Sequence, residues 1–220
     1  MKITLLAATA AEIQPTIDLL DSGIQPWKNI EVDLLTTGVG LPATIYQLTK
    51  YLGQKRPDMI VNAGIAGALS EQIMLGEVVL VQSETFGDLG AEDQTGKFLS
   101  LSELGLLDPQ APPFQNGVIS GTNPPRLWPD LRRVTGTTVQ LVHGEAERIQ
   151  RFRAQNNAEV ESMEGAGVAY VAALEGIPYL QLRSISNYVE PRNREAWKIG
   201  LSVKNLNRFL LDSLHHLAYL

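Results

Sequence analysis

Short apolar runs rich in Ile, Leu and Val recur along the chain at Lys2 to Ala7, Val32 to Thr37, Met59 to Ala63, Val78 to Gln82, Val118 to Ser120, Thr137 to Val142 and Tyr179 to Ile185. Several lack strict alternation, which predicts strands covered on both faces. Between them Glu12 to Leu20, Pro42 to Leu52, Ala146 to Phe152, Gly165 to Leu174 and Trp197 to Leu217 carry apolar residues at helical spacing, most clearly in the last. Strands interleaved with helices predict an α/β fold. Phe86 to Asn116 mixes Gly, Pro and Asp with short apolar patches, so it reads as a long excursion from the sheet, of a kind that often covers a site. Thr122 to Pro129, with three prolines, reads as a rigid surface turn.

With 220 residues the chain can bury one large core, and a single domain over 1–220 is expected. A formal net charge of -6 argues against a general affinity for nucleic acid or an anionic membrane, and leaves a small molecule as the expected partner. The absence of cysteine removes disulfides, thiolate nucleophiles and zinc-thiolate sites together, and fits a cytoplasmic setting. Met1 to Ala11 is apolar, but Glu12 interrupts it before a targeting segment or a membrane span is complete.

Two glycine-bearing turns are expected after strands: Thr37-Gly38-Val39-Gly40, and Asn62-Ala63-Gly64-Ile65-Ala66-Gly67. In open α/β sheets ligands bind beyond the C-terminal strand ends, where glycine lets the backbone approach closely. These glycines also serve any tight turn. Neither matches a phosphate loop or a full dinucleotide fingerprint, and Lys and Arg are absent from Asn29 to Thr49 and from Pro57 to Gly96. Phosphate groups are therefore not the expected ligand.

Glu12 falls at the start of the first helix, where it is either an acid complementing the helix dipole or a carboxylate facing the strand-end cleft. Glu164 lies where a strand-like segment passes into the small-residue helix after Met163, and a carboxylate there can accept from both hydroxyls of a ribose. Glu161 reads as solvated. Asn187 ends the apolar run from Tyr179; it is a turn residue or an amide able to donate to a departing purine. His143 is the only histidine before the C-terminal pair His215 and His216, so no metal site is expected. No nucleophile elbow occurs either.

Taken in order, Glu12, Thr37-Gly38-Val39-Gly40, Asn62 to Gly67, Ser162-Met163-Glu164-Gly165-Ala166 and Arg183-Ser184-Ile185-Ser186-Asn187 resemble the nucleoside phosphorylase and methylthioadenosine/S-adenosylhomocysteine nucleosidase superfamily over almost the whole chain. The resemblance implies a three-layer α/β/α sandwich with a central mixed sheet, N-glycosidase activity on a purine nucleoside, no cofactor, and a homodimer or higher homo-oligomer with the Phe86 to Asn116 excursion near the interface. It implies Glu12 as the general base, Glu164 as the ribose ligand, residue 187 at the base, Val39 and Met163 along the sugar, Gly64, Ala66 and Gly67 at the substrate, and Val142 beside the purine. The adenine-specific members carry Asp where this chain has Asn187. An amide donates toward O6 and N7 and so favours a 6-oxopurine. The stretch from Asn187 to Trp197 resembles the futalosine hydrolase branch, which releases hypoxanthine. There Arg192 or Arg194 is expected to meet a substrate carboxylate, or else to be solvated, and Trp197 to pack on the substrate's aromatic ring. A phosphorylase, a nucleosidase for methylthioadenosine or aminofutalosine, and a non-catalytic nucleoside binder remain the alternative readings.

Overall fold

A computed structural model describes residues 1–22, 27, 29–122 and 131–218. Thr122 is thus the only residue of the expected proline-rich turn among those described. Strands β1 (Lys2–Ala7), β2 (Glu31–Thr36) and β3 (Met59–Ala68) run parallel with β1 in the middle. β3 also pairs in parallel with β10 (Tyr179–Tyr188), and from there the sheet continues through β4 (Val78–Phe86), β8 (Arg133–Thr138) and β9 (Val160–Ser162). β9 then returns to the end of β3, with Gly67 opposite Glu161, so five strands close on themselves beside an open parallel wing. The sheet is mixed, since β10 to β4 and β3 to β9 are antiparallel. The two-residue β7 (Ile119–Ser120) pairs with β4, and β5 (Gly90–Glu92) and β6 (Phe98–Ser100) form a separate hairpin.

Alternate residues of β1 divide between the two layers that flank the sheet. Ile3, Leu5 and Ala7 pack with Ile13 of α1 (Ala10–Asp21) and with Leu206, Leu210 and Leu214 of α5 (Ile199–Leu217). Leu6 packs on the other face with Leu48 of α2 (Leu41–Leu52) and Val168 of α4 (Gly165–Leu174). This is the expected α/β/α sandwich. A third cluster, including Ala66, Val79, Val134 and Ile185, joins residues of the closed ring of strands. α3 (Ala146–Gln155) is covered mainly through Ile149.

Among the departures from the hydrophobic pattern, three bear on the site. β3 runs on through the glycines expected to form a turn, because β10 pairs with it as far as Ala68. Cross-strand partners hold small residues extended where propensity alone would end the strand. For the same reason β10 continues to Tyr188 and takes Asn187 into the sheet. The strand expected at Thr137 to Val142 lies earlier, at Arg133–Thr138, where β4 and β9 supply ladder partners on both sides.

Candidate active site

The elements carrying the expected site residues meet at a cavity of about 350 Å³. Glu12, Val39, Ala66, Gly67, Val142, Met163, Glu164, Asn187 and Trp197 all line it. Two other hollows, of about 410 and 600 Å³, lie elsewhere and contain none of these groups. The Phe86 to Asn116 excursion borders the former, with Phe86, Leu107 and Phe114 in its wall. Among the described residues the excursion does not line the Glu12 cavity, so it does not cover that site within this chain.

Glu12 is held by both of the roles its sequence position offered. As the third helical residue after Thr9 it completes a capping box, with Oε2 accepting from Thr9 N–H at 3.0 Å and from Thr9 Oγ1 at 2.9 Å. Oε1 accepts from the Ile65 N–H of β3 at 3.0 Å. Three donors therefore fix the carboxylate at the cavity edge. The backbone beneath it is broken: Ile13 has φ -121 and ψ 17, two residues before Pro15, whose ring disfavours a regular helical turn. Asn207 of α5 repairs that break. Its Nδ2 donates to Glu12 O at 2.8 Å, and its Oδ1 accepts from Thr16 N–H at 3.2 Å, the two groups an unbroken helix would pair directly. Sequence reasoning missed Asn207, and an Asn in the middle of an apolar helical stripe was the available signal.

Glu164 caps the N-terminus of α4 and is buried, with Oε1 accepting from Gly40 N–H at 3.0 Å. Gly40 reaches it through a backbone with φ +88, a conformation that glycine adopts without strain. Burial raises the pKa of Glu164 above the ordinary carboxylate range; the charge of Arg183 and the Gly40 hydrogen bond oppose the rise, while the charge of Glu12 adds to it.

Arg183 is the second group that sequence reasoning left without a role. It is 2% exposed, and its Nε and Nη2 have no hydrogen-bond partner. Gly64 does not line the cavity. It lies beneath it, where an added Cβ would fall against Arg183 Nη1 and 2.8 Å from Glu12 Oε1. Its missing side chain is the space in which guanidinium and carboxylate lie.

At the far end Asn187 Oδ1 accepts from Ser186 Oγ at 2.8 Å, and Nδ2 donates to Tyr188 O at 3.0 Å. That leaves the second amide hydrogen as the side chain's spare donor. Glu161, expected in solvent, is instead 4% exposed and lines the cavity, because β9 is paired on both sides and carries it into the sheet. The structure places neither Arg192 nor Arg194 in the cavity lining. Both are exposed, and their guanidiniums stand 5.8 and 5.9 Å from the ring centre of Trp197, at cation–π distance.

Residues 26–215 match the phosphorylase superfamily. The chain belongs to that superfamily. It is 38% identical over 181 residues to a futalosine hydrolase of Streptomyces coelicolor, covering 76% of this chain and 72% of that one. A futalosine hydrolase of Acidothermus cellulolyticus is 31% identical over 217 residues, covering 94% and 87%. The solved futalosine hydrolase of Helicobacter pylori superposes with a TM-score of 0.74 over 97% of both chains at 18% identity, a likeness of fold. The superfamily match begins beyond Glu12, so the placing of that residue rests on the geometry described above.

Proposed function

We propose that this chain hydrolyses the N-glycosidic bond of futalosine and releases hypoxanthine and dehypoxanthine futalosine. The observation that carries the reading is the convergence of Glu12, Glu164 and Asn187 on one cavity, in a chain 38% identical to a futalosine hydrolase. Glu164, buried and anchored by Gly40, accepts from the ribose hydroxyls and offsets the positive charge that develops on the sugar as the bond breaks. The bonding pair leaves with the purine, whose anion then takes up a proton from solvent to give hypoxanthine. Asn187, its Oδ1 already taken by Ser186, offers its spare N–H to the charge growing on O6 or N7. Water attacks C1′, and its proton passes to Glu12, whose carboxylate is pre-aimed by Thr9 and Ile65.

Water rather than phosphate is the nucleophile in this reading. No lysine or arginine is among the described residues that line the cavity, which favours water over a phosphate dianion. Met163 and Val39 pack the sugar, and Val142 flanks the purine. The aromatic acid end of the substrate leaves past Trp197, and the exposed Arg192 and Arg194 are offered to its carboxylate at the mouth. On the resemblance set out above, the chain acts as one domain in a homodimer or higher homo-oligomer, in the cytoplasm, in menaquinone assembly.

Base release followed by chromatography tests the reading, with futalosine, aminofutalosine, methylthioadenosine and inosine as substrates, with and without phosphate. The expected result is phosphate-independent release of hypoxanthine, fastest from futalosine. Phosphate-dependent release, or a preference for a 6-amino substrate, overturns it. Light scattering on the purified protein checks the assembly.

A further inference from the structure

The helix that carries Glu12 is open directly behind it. Pro15 has no N–H for Ala11 O, and its ring crowds that carbonyl, so the chain leaves helical geometry at Ile13, with φ -121 and ψ 17. The peptide unit that opens is the one joining Glu12 to Ile13. In a closed helix the Thr16 N–H would bond Glu12 O and fix that unit. Here an amide from α5 stands between them.

Asn207 fills the opening with its full hydrogen-bonding capacity. Nδ2 donates to Glu12 O at 2.8 Å and to Val203 O of its own helix at 2.7 Å. Oδ1 accepts from Thr16 N–H at 3.2 Å and from Thr16 Oγ1 at 2.7 Å. Both donors and both acceptor sites of the amide are engaged, so it has one orientation: turned over, it would set Nδ2 against the Thr16 N–H and Oδ1 against Glu12 O. Asn207 is 2% exposed, and Ile13 and Thr16 are fully buried, so solvent cannot take its place. Ile199 and Val203, on the preceding turns of the same face of α5, line the cavity. That helix start is tied to β10, with Lys198 N–H donating to Ser186 O and Ser202 Oγ donating to Ile185 O, both at 2.7 Å.

We propose that Asn207 is a positioning residue for the hydrolysis: it stands in for the helical hydrogen bond lost at the Pro15 break, and so sets the direction in which the Glu12 carboxylate meets the attacking water. The assignment rests on Glu12 being the base in the function proposed above. Thr9 and Ile65 hold the carboxylate, and Asn207 holds the main chain of the same residue. Without the amide, Glu12 O and Thr16 N–H are unpaired in the core, which is costly. Relief of that cost turns the Glu12–Ile13 peptide unit and carries the Glu12 side chain with it. A displacement of about 1 Å at a reacting group can lower a rate roughly a hundredfold.

The test is single-turnover release of hypoxanthine from futalosine, in which the rate constant reports the reacting centre and the amplitude the folded fraction. Asn207→Ala is expected to lower the rate constant about tenfold or more, with the half-saturating substrate concentration within about threefold. Asn207→Leu, which keeps the volume and loses the polar atoms, reads the same quantity where the smaller residue leaves too little folded protein. Adding Pro15→Ala is expected to recover most of the loss, since a residue with an N–H lets α1 close and pair Thr16 with Glu12 directly. In a Glu12→Gln background, Asn207→Ala is expected to change the rate by no more than about twofold, because a residue that acts through Glu12 has nothing left to position. A rate constant unchanged in the Asn207 variants, no recovery with Pro15→Ala, or a full further loss in the Glu12→Gln background overturns the assignment. Hypoxanthine release by the unmodified chain, and its loss in Glu12→Gln, would still leave the proposed function standing. Near-normal turnover in Glu12→Gln overturns the base and the assignment together.

Discussion

At the Glu12 end of the cavity the polar groups are already bonded before any ligand arrives: Thr9 and Ile65 hold one carboxylate, Gly40 holds the other, and Asn207 braces the backbone under the first. At the Asn187 end an amide with one spare donor and a carboxylate with one unpartnered oxygen both belong to residues that line the cavity. The difference follows from what each end has to do. Groups that act on a reacting atom gain from being fixed in advance, since reorganisation at the moment of reaction adds to the barrier. Groups that choose between ligands gain from being incomplete, since the right ligand then supplies what is missing. On the function proposed above, the first end would carry the reaction and the second would meet the purine.

The largest effect that would break this division is expected from Glu12→Gln. An amide still accepts from Ile65 N–H, but it turns a donor toward Thr9 N–H and cannot take a proton from water. Removing a general base lowers turnover by roughly 10² to 10⁴, whereas a weakened helix cap costs about 1 kcal/mol of stability. Single-turnover base release should therefore fall at least a hundredfold, with KM within a few-fold and the thermal midpoint lowered by a few degrees. Turnover near normal would remove Glu12 as the base.

Two glycines, one under each end, sharpen the comparison at a smaller scale. In Gly64→Ala the new methyl meets Arg183 Nη1 and Glu12 Oε1, so the groups at the reacting centre must move. In Gly67→Ala it meets Val189 and the amide of Asn187, so the cavity narrows at that end instead. Overpacking of this kind costs about 1 to 3 kcal/mol, which would be roughly five- to 150-fold if it fell wholly on one step. Gly64→Ala should show its loss in kcat, and Gly67→Ala in KM and in the preference for a 6-oxopurine. Steady-state kinetics on the two variants decides it, and a loss of kcat alone in both would merge the two ends into one.

How far the sequence anticipates this site depends on whether a residue's role is local. Glu12 is legible because it falls at the start of the first helix, just beyond β1, and Glu164 because it opens a helix of small residues. The alternation of apolar runs predicts the layers for the same reason, with strand and helix periods visible within each segment. Asn207 acts on Glu12 across 195 residues, and Arg183 acquires its place only when β10 pairs with β3 over Gly64. Glu161 looks like a surface acid until β9 is seen to have neighbours on both sides. The run Asn62 to Gly67 misleads in the opposite direction. Its glycines suggest a turn, and only the long register with β10 keeps it a strand.

Behind the reacting end lies a third buried carboxylate, and it separates structural charge from catalytic charge. Glu84 accepts from Gln181 Nε2 at 2.6 Å and from Thr138 Oγ1 at 3.1 Å, and Thr138 Oγ1 in turn accepts from Ala166 N–H at the start of α4. Burial pushes its pKa up to about 7, against the opposing pull of Gln181, Arg183 and Thr138. A carboxyl whose folded pKa exceeds its unfolded value binds its proton more tightly in the folded state. Its contribution to stability is then complete below about pH 4.5 and is lost as pH rises through about 7, on the order of 3 kcal/mol in all. Glu84→Gln keeps an acceptor for Gln181 and removes the titration. Compared with the unmodified chain, it should therefore gain thermal stability at pH 8 relative to pH 5, while turnover changes by no more than a few-fold because Glu84 does not line the cavity. Thermal melts of both proteins across that range measure the difference, and parallel curves would show that Glu84 is not the titrating group.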